Sequence, residues 1–185
     1  DRNDLFEWYV VNLLSPAVGY CRAKKAVDSL KDSGLLFSGD VADIERTLQA
    51  GYRFPNKAEW LVQARNKFYD QTSLDFKKPI ESLMLELADQ PSVDKRRQHS
   101  IDQIPQGFSL KTASHYLRGV NLSNNQLAIL DSQVMKLLVR VPQLRLEEGK
   151  LAQFNKKGEL RNPSKVKYLQ IEARVKHWAD EIVRI

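Results

Sequence analysis

The chain of 185 residues has one cysteine and three histidines, too few for two common kinds of site. Cys21 cannot form a disulfide within the chain, and it does not combine with the histidines at a spacing typical of metal ligands. This scarcity favours a reducing compartment and a protein without structural zinc, and no side chain is assigned as a metal ligand. Cys21 itself is expected to be a packing residue rather than a nucleophile.

Long apolar runs are missing as well. The longest one near the start, YVVNLL, is far shorter than the roughly 20 apolar residues of a membrane-spanning helix. We therefore expect no membrane partner and an intracellular location, in the cytoplasm or the nucleoid. The alternation typical of strands is also absent, whereas apolar residues recur at helical spacing almost everywhere. The predicted fold class is all-α, in a single domain over residues 1–185.

Glycines, prolines and polar stretches divide the helical pattern into segments. Gly34 and Gly51 end two of them, and Pro79 should bend or restart a third. A polar stretch at residues 154–163 is predicted to be a surface loop rather than a domain border. The predicted helices cover residues 4–15, 23–33, 41–50, 55–69, 74–89, 92–104, 110–120, 131–140 and 164–185.

Positively charged residues outnumber negatively charged residues in the sequence. Lysine and arginine together number 29 against 23 acidic residues, a formal net charge of +6 with a sequence pI near 9.4. Such a balance suits a polyanionic partner such as nucleic acid. Many basic proteins bind no nucleic acid, so a helical interaction module with another acidic partner remains an alternative.

The clearest local pattern is a tight helical hairpin at about residues 94–119. Two helical segments flank the interruption PQGFS, which contains Pro105 and Gly107, and Gly107 permits a close backbone approach or a positive φ. The start of the second helix would offer unpaired amides and the positive end of the helix dipole to a phosphate oxygen. A plain packed helix-turn-helix connection is the alternative.

Two residues near this hairpin are candidates for chemistry. Lys111 falls in the first turn of the second helix, where the dipole, and any burial by Phe108 and Leu110, would lower the pKa of its amine and make it a nucleophile. Asp131 follows the apolar run LAIL at a predicted helix start, where it could cap the helix or oppose positive charge on a sugar ring. For each residue the ordinary alternative is structural, a solvated lysine and an N-cap.

Four ordered blocks then add a resemblance to a known family. They are LKTASHYLRGV, LAILDSQVMKLL, YRFPNKAEWLVQAR at residues 52–65 and KYLQIE at residues 167–172. Together they resemble the type-2 8-oxoguanine DNA glycosylase/AP lyases of the helix-hairpin-helix superfamily. The opening WYVVNLLSPAVGYCRAKKAV is similar to the first helices of the family, so the resemblance runs over most of the chain.

The resemblance implies a fold, a partner and a chemistry. The fold would place two helical lobes around a DNA-binding cleft, and the partner would be duplex DNA with a damaged base flipped into a pocket. Lys111 would attack the anomeric carbon to form a Schiff base, Asp131 would assist base loss, and β-elimination would cut the strand. No organic cofactor would be needed, and a monomer is expected. The residues expected to contact DNA are Arg53, Asn56, Lys57, Gln106, Gly107, Ser109 and Arg118. For Arg53, Asn56 and Lys57 the alternative is that they cap and solvate a helix.

The chain departs from the family pattern at three places. Ser109 replaces the second glycine of the hairpin and could act as a helix cap. Ser132 and Gln133 replace an Arg-His pair after Asp131, which removes a positive charge and an imidazole. Family members also continue into an aromatic cluster and a terminal lysine that help to recognise 8-oxoguanine, beyond the point at which this chain stops. The alternatives are a glycosylase of different base specificity and a catalytically weak, damage-sensing homologue.

Other residues near the hairpin have two interpretations each. The run Lys95 to Arg97 is a solvated face or a phosphate contact. His115 lies one helical turn beyond Lys111 and is either a structural histidine or a proton shuttle. The aromatic residues Phe6, Trp8 and Tyr116 are expected in the core.

Overall fold

The computed structural model describes residues 2–16, 18–49, 56–68, 80–103, 107–124, 126–130, 132–144, 146, 151–152 and 163–183. These residues form helices and connecting turns, and none of them belongs to a strand. The all-α prediction is therefore confirmed. The elements are α1 (Arg2–Leu14), α2 (Tyr20–Asp32), α3 (Leu35–Ser38), α4 (Val41–Gln49), α5 (Asn56–Phe68), α6 (Ile80–Asp89), α7 (Val93–Gln103), α8 (Leu110–Gly119), α9 (Ser132–Leu138), a 3₁₀ turn (Pro142–Leu144) and α10 (Lys165–Val183).

Contacts divide the chain into two compact units, Asp1–Asn124 and Asn125–Ile185. The first unit contains α1 to α8, and the second contains α9, the 3₁₀ turn and α10. The single domain over residues 1–185 stays a prediction. No helix of the described ranges is both long enough and apolar enough to cross a membrane.

The centre of the first unit is α1, which packs against α2, α5, α6 and α8. Its sequence explains this position, because apolar residues face more than one side and Phe6 and Tyr9 are fully buried. The Tyr9 ring stacks on Phe108 at 5.2 Å and meets Tyr116 edge-on at 5.7 Å. Burying an aromatic side chain stabilises a fold by about 1.5–3 kcal/mol. The contacts among these rings therefore anchor the segment before α8 in the core.

In the second unit, α10 binds the segment 126–130 through side-chain hydrogen bonds. The buried Glu172 accepts the amide of Ala128 at 2.8 Å, and the Tyr168 hydroxyl donates to the Ala128 carbonyl at 2.8 Å. The same hydroxyl accepts the amide of Leu130 at 3.2 Å. Both side chains belong to the block KYLQIE. This block thus supplies backbone partners for LAIL, a segment that has no regular structure of its own.

Helix positions follow the sequence prediction closely, with two additions. The short helix α3 and the 3₁₀ turn were not predicted, since each has only three or four residues. Of the helix predicted from residue 74, the structure describes α6 from Ile80, and residues 74–79 lie outside the described residues. The packing role predicted for Cys21 is wrong, because this residue lies exposed on α2.

Candidate active site

The hairpin predicted from the sequence is formed by α7 and α8. Gly107 has a φ of +118°, and a Cβ at this position would lie 2.8 Å from the Trp60 ring. Both facts require glycine, so the predicted positive φ is confirmed. Ser109 is the N-cap of α8, and its Oγ accepts the amide of Thr112 at 3.3 Å. The hairpin therefore tolerates serine at this position because the side chain satisfies one free amide of the helix.

Arg97 joins the two helices of the hairpin from inside. Its side chain is 2% exposed, and it donates to Ser114 Oγ at 3.2 Å and to Asp94 Oδ1 at 2.8 Å. Ser114 in turn donates to the Leu110 carbonyl at 2.7 Å. The buried guanidinium thus links α7 to the first turn of α8.

The run Lys95 to Arg97 is therefore not one solvated face. Arg97 is buried, and the Arg96 guanidinium donates to the main-chain carbonyls of Leu122 at 3.2 Å and Ala88 at 3.1 Å. Only Lys95 of the three is exposed. The two arginines hold the hairpin and its exit together.

Lys111 lies in the first turn of α8, as predicted, but its side chain is exposed. Neighbouring Phe108 and Leu110 do not cover it, because both apolar side chains belong to the core and are only 9% and 8% exposed. The ammonium makes no hydrogen bond or ion pair with another residue of the described ranges. It thus stands at the positive end of a helix dipole, where its charge is unfavourable.

His115 and Arg118 follow Lys111 along the same face of α8, four and seven residues on. Arg118 is exposed in the last turn, and His115 is half-buried. Burial lowers the pKa of His115, and the positive charges of Lys111 and Arg118 lower it further. The face therefore has two cations with a neutral imidazole between them near pH 7.

The imidazole of His115 is held by residues of α1. Its Nδ1 is 2.7 Å from Asn12 Oδ1, and its ring stacks on Trp8 with 5.5 Å between centroids. Phe6 and Tyr116 are core residues as predicted, but the core prediction is wrong for Trp8, which is half-buried. The sequence interpretation missed Asn12. A polar residue inside the apolar run YVVNLL was the available signal, because a buried amide needs partners.

Lys57 has a structural role at the end of another helix, α1. The side chain is 3% exposed, and its ammonium donates to the carbonyls of Leu13 at 3.2 Å, Leu14 at 2.6 Å and Pro16 at 3.1 Å. The ammonium has three N–H protons, and each one has a main-chain carbonyl as its acceptor at the end of α1. The ammonium thus stabilises the end of α1, and the DNA contact of Lys57 stays a prediction.

The other predicted site residues divide into two groups. Asn56 is exposed as the first residue of α5, next to Lys57. Arg53, Gln106 and Asp131 lie outside the described residues. Within the described ranges, no three residues among histidine, cysteine, aspartate and glutamate are grouped so that they could hold a metal ion.

Two comparisons with known proteins agree with each other. The chain is 29% identical over 129 residues to a curated protein of Fusobacterium nucleatum named 8-oxoguanine DNA glycosylase/AP lyase. The match covers 70% of this chain and 55% of that relative, so the chain spans about half the length of the curated relative it matches. A model of the 8-oxoguanine DNA glycosylase family matches residues 1–183. The chain therefore belongs to the 8-oxoguanine DNA glycosylase family and has its all-helical helix-hairpin-helix fold.

Proposed function

We propose that this protein is a bifunctional DNA glycosylase and AP lyase that removes an oxidised purine, 8-oxoguanine first, from duplex DNA. The observation that carries the proposal is the position of Lys111, exposed in the first turn of α8 directly after the hairpin turn. A lysine there needs no rearrangement of the core to reach a substrate. Family membership supports the same chemistry.

In the proposed reaction, the neutral amine of Lys111 attacks C1′ of the damaged nucleotide. The bond from C1′ to the base breaks, its electron pair leaves with the base, and the base takes up a proton. Opening of the sugar ring gives an imine between Lys111 and C1′. Loss of a proton from C2′ then expels the 3′ phosphate by β-elimination, and water releases the lysine. The carboxylate of Asp131 is proposed to oppose the positive charge that develops on the sugar.

The hairpin is proposed to bind the DNA backbone. The first-turn amides of α8, the turn at Gln106 and Gly107, and the Ser109 region would contact a phosphate, as helix N-termini do. Arg53, Asn56 and Arg118 would contact the DNA backbone from positions outside this turn. The protein is proposed to act as a monomer of one domain on double-stranded DNA in the cytoplasm or nucleoid.

Borohydride trapping tests the chemistry. The protein is incubated with duplexes that contain 8-oxoguanine, uracil or an abasic site, and borohydride reduces any imine to a stable adduct. We expect adducts with 8-oxoguanine and abasic duplexes for the wild type and for the Lys95→Gln control, which removes an exposed lysine of the same hairpin. Lys111→Gln should form none. No adduct with any duplex, or an adduct that persists in Lys111→Gln, contradicts the proposed mechanism.

Asp131→Asn tests the second residue. We expect the variant to fold and to bind duplex DNA while base release slows strongly. Unfolding would instead assign Asp131 to helix capping. A damage-sensing homologue would bind the 8-oxoguanine duplex with salt-dependent affinity and form no adduct.

A further inference from the structure

An open apolar groove lies on the first unit, bounded by α1, α6 and the end of α8. Its volume is about 570 Å³, and its lining residues are Asp4, Leu5, Trp8, Met84, Leu85, Ala88, Gly119, Val120 and Leu122. Leu85 is 72% exposed, the largest fraction among the exposed large apolar side chains of the described ranges. A small-molecule pocket would instead enclose about 70–90% of its ligand. The groove therefore suits the surface of a macromolecule rather than a small ligand.

Trp8 gives the groove a fixed wall. Its indole N–H donates to the Tyr116 carbonyl at 3.3 Å, and its ring stacks on His115 with 5.5 Å between centroids. A Cβ at Gly119 would lie 2.1 Å from the Trp8 ring, so only glycine leaves room for the indole there. This side of the groove is thus preformed, and a partner does not have to order it on binding.

The charge of the groove differs from that of the face that bears Lys111. Of the described residues that line the groove, only Asp4 is charged. The helix α6 has no basic residue and three acidic ones, which are Glu81, Glu86 and Asp89. Glu81 lies one turn before Leu85 on the same face of α6, and its Oε2 is buried without a hydrogen-bond partner among the described residues. The groove is therefore apolar with an excess of negative charge, in a chain whose net charge is +6.

Cations near the groove do not belong to its lining. Arg96 donates to two main-chain carbonyls of the groove at 3.1 and 3.2 Å, and Lys31 forms an ion pair with Glu7. Arg118 belongs to the face of α8 that bears Lys111. Duplex DNA needs cations along its phosphates, so an acidic apolar groove does not suit it. A partner that matches the groove carries positive charge beside its apolar residues.

A second copy of this chain fits the groove poorly. In a symmetric pair the same residues of both copies meet, which would bring the Asp4 and Glu81 carboxylates of one copy near those of the other. A groove between two helices instead accepts the side-chain ridge of a third helix. The partner is therefore expected to be a helix of another protein that is both apolar and basic.

We propose that this groove is a docking site for an amphipathic helix of another protein, with apolar residues at i, i+3 or i+4 and lysine or arginine beside them. The apolar residues would pack on Leu5, Trp8 and Leu85, and the cations would lie near Asp4 and Glu81. This interaction is independent of the proposed glycosylase chemistry, since none of these side chains takes part in it.

The test uses a fluorescein-labelled synthetic peptide of leucine and lysine with amphipathic helical spacing, and fluorescence anisotropy measures its binding. The reference peptides are one of the same composition in scrambled order and one with glutamate in place of lysine. We expect the leucine–lysine peptide to bind the wild type about tenfold more tightly than either reference. Leu85→Ser should weaken this binding about tenfold, because the peptide buries less apolar area. Asp4→Asn should weaken it about two- to fivefold at low salt and not at high salt.

Matched controls come from the second unit. Leu137→Ser removes a 64% exposed leucine of α9, and Asp180→Asn removes an exposed carboxylate of α10. Neither should change peptide binding by more than about twofold. Since Leu85 is exposed, Leu85→Ser should keep the thermal unfolding and the duplex affinity of the wild type.

Four results would each overturn the proposal. Two of them are equal binding of the three peptides and equal losses in Leu85→Ser and Leu137→Ser. Weaker duplex binding of Leu85→Ser would assign the groove to DNA instead. Self-association of the wild type that Leu85→Ser abolishes, measured by analytical ultracentrifugation, would assign it to a second copy of the chain.

Discussion

Two lysines of the first unit lie at opposite helix termini, one at a carboxyl end and the other at an amino end. Lys57 is buried at the carboxyl end of α1, where its ammonium satisfies three carbonyls. Lys111 is exposed at the amino end of α8, where the dipole opposes its charge. The first position stabilises the fold, and the second leaves an amine available for chemistry. The same side chain thus has different roles because its surroundings either complete or leave open its hydrogen bonds.

The largest expected effect comes from removing the buried ammonium. Lys57→Met should lower the free energy of unfolding by about 3 kcal/mol or more, since carbonyls left without a donor cost about 1–3 kcal/mol each. Urea unfolding followed by circular dichroism measures the change. The control Lys25→Met, at an exposed lysine of α2, should change stability by less than about 0.5 kcal/mol. Equal effects of the two substitutions would remove the contrast between buried and exposed lysines.

The turn before α8 is the next most sensitive point. Gly107→Ala should cost about 2–4 kcal/mol, because a positive φ is combined with a Cβ at 2.8 Å from Trp60. Gly34→Ala is the matched control, since its φ is +74° and nothing lies within 4 Å of a Cβ there. It should cost only about 1 kcal/mol of backbone strain. Equal losses in thermal unfolding would show that the approach to Trp60 does not matter.

The pH dependence of stability separates Lys57 from other lysines. Burial lowers the pKa of Lys57 to about 8, from 10.5 in the unfolded chain. Between these two pKa values Lys57 binds more protons in the unfolded chain than in the folded one, so the free energy of unfolding rises with pH. Below about pH 8 Lys57 is protonated in both states and does not change the free energy of unfolding with pH. Burial raises the pKa values of Tyr9 and Tyr116, which act in the opposite sense above about pH 10. Urea midpoints from pH 7.5 to about 9.5 should rise more for the wild type than for Lys57→Met. Parallel curves would contradict the shift.

The smallest effect should have the opposite sign. Lys111→Gln should raise the free energy of unfolding by about 0.3–0.5 kcal/mol, because it removes a cation from a helix amino end. Lys136→Gln, in the last turn of α9, removes a cation from a carboxyl end and should lower stability slightly. Differential scanning calorimetry resolves the two signs. A clear loss of stability in Lys111→Gln would mean that Lys111 has a structural role like that of Lys57.

Local sequence signals predicted the hairpin well. Pro105 and Gly107 mark the turn, Ser109 has the side chain of an N-cap, and the apolar spacing gives the two helices, so each feature depends on residues close in the chain. The roles of Lys57, Arg97 and Asn12 could not be predicted in this way. Their partners lie 44, 17 and 103 residues away, and nothing in the local pattern shows which of several charged or polar residues will be buried.

The sequence by itself determined the helical fold class, the helix order, the hairpin and the family blocks, because periodicity, caps and turns are properties of neighbouring residues. Tertiary structure decided which lysine became internal and which stayed exposed at the start of α8. It also oriented the neutral His115 beside Lys111 through Asn12 and Trp8. The physical reason is that burial and hydrogen-bond partners depend on the packing of α1 against α5 and α8, which brings together residues far apart in the chain.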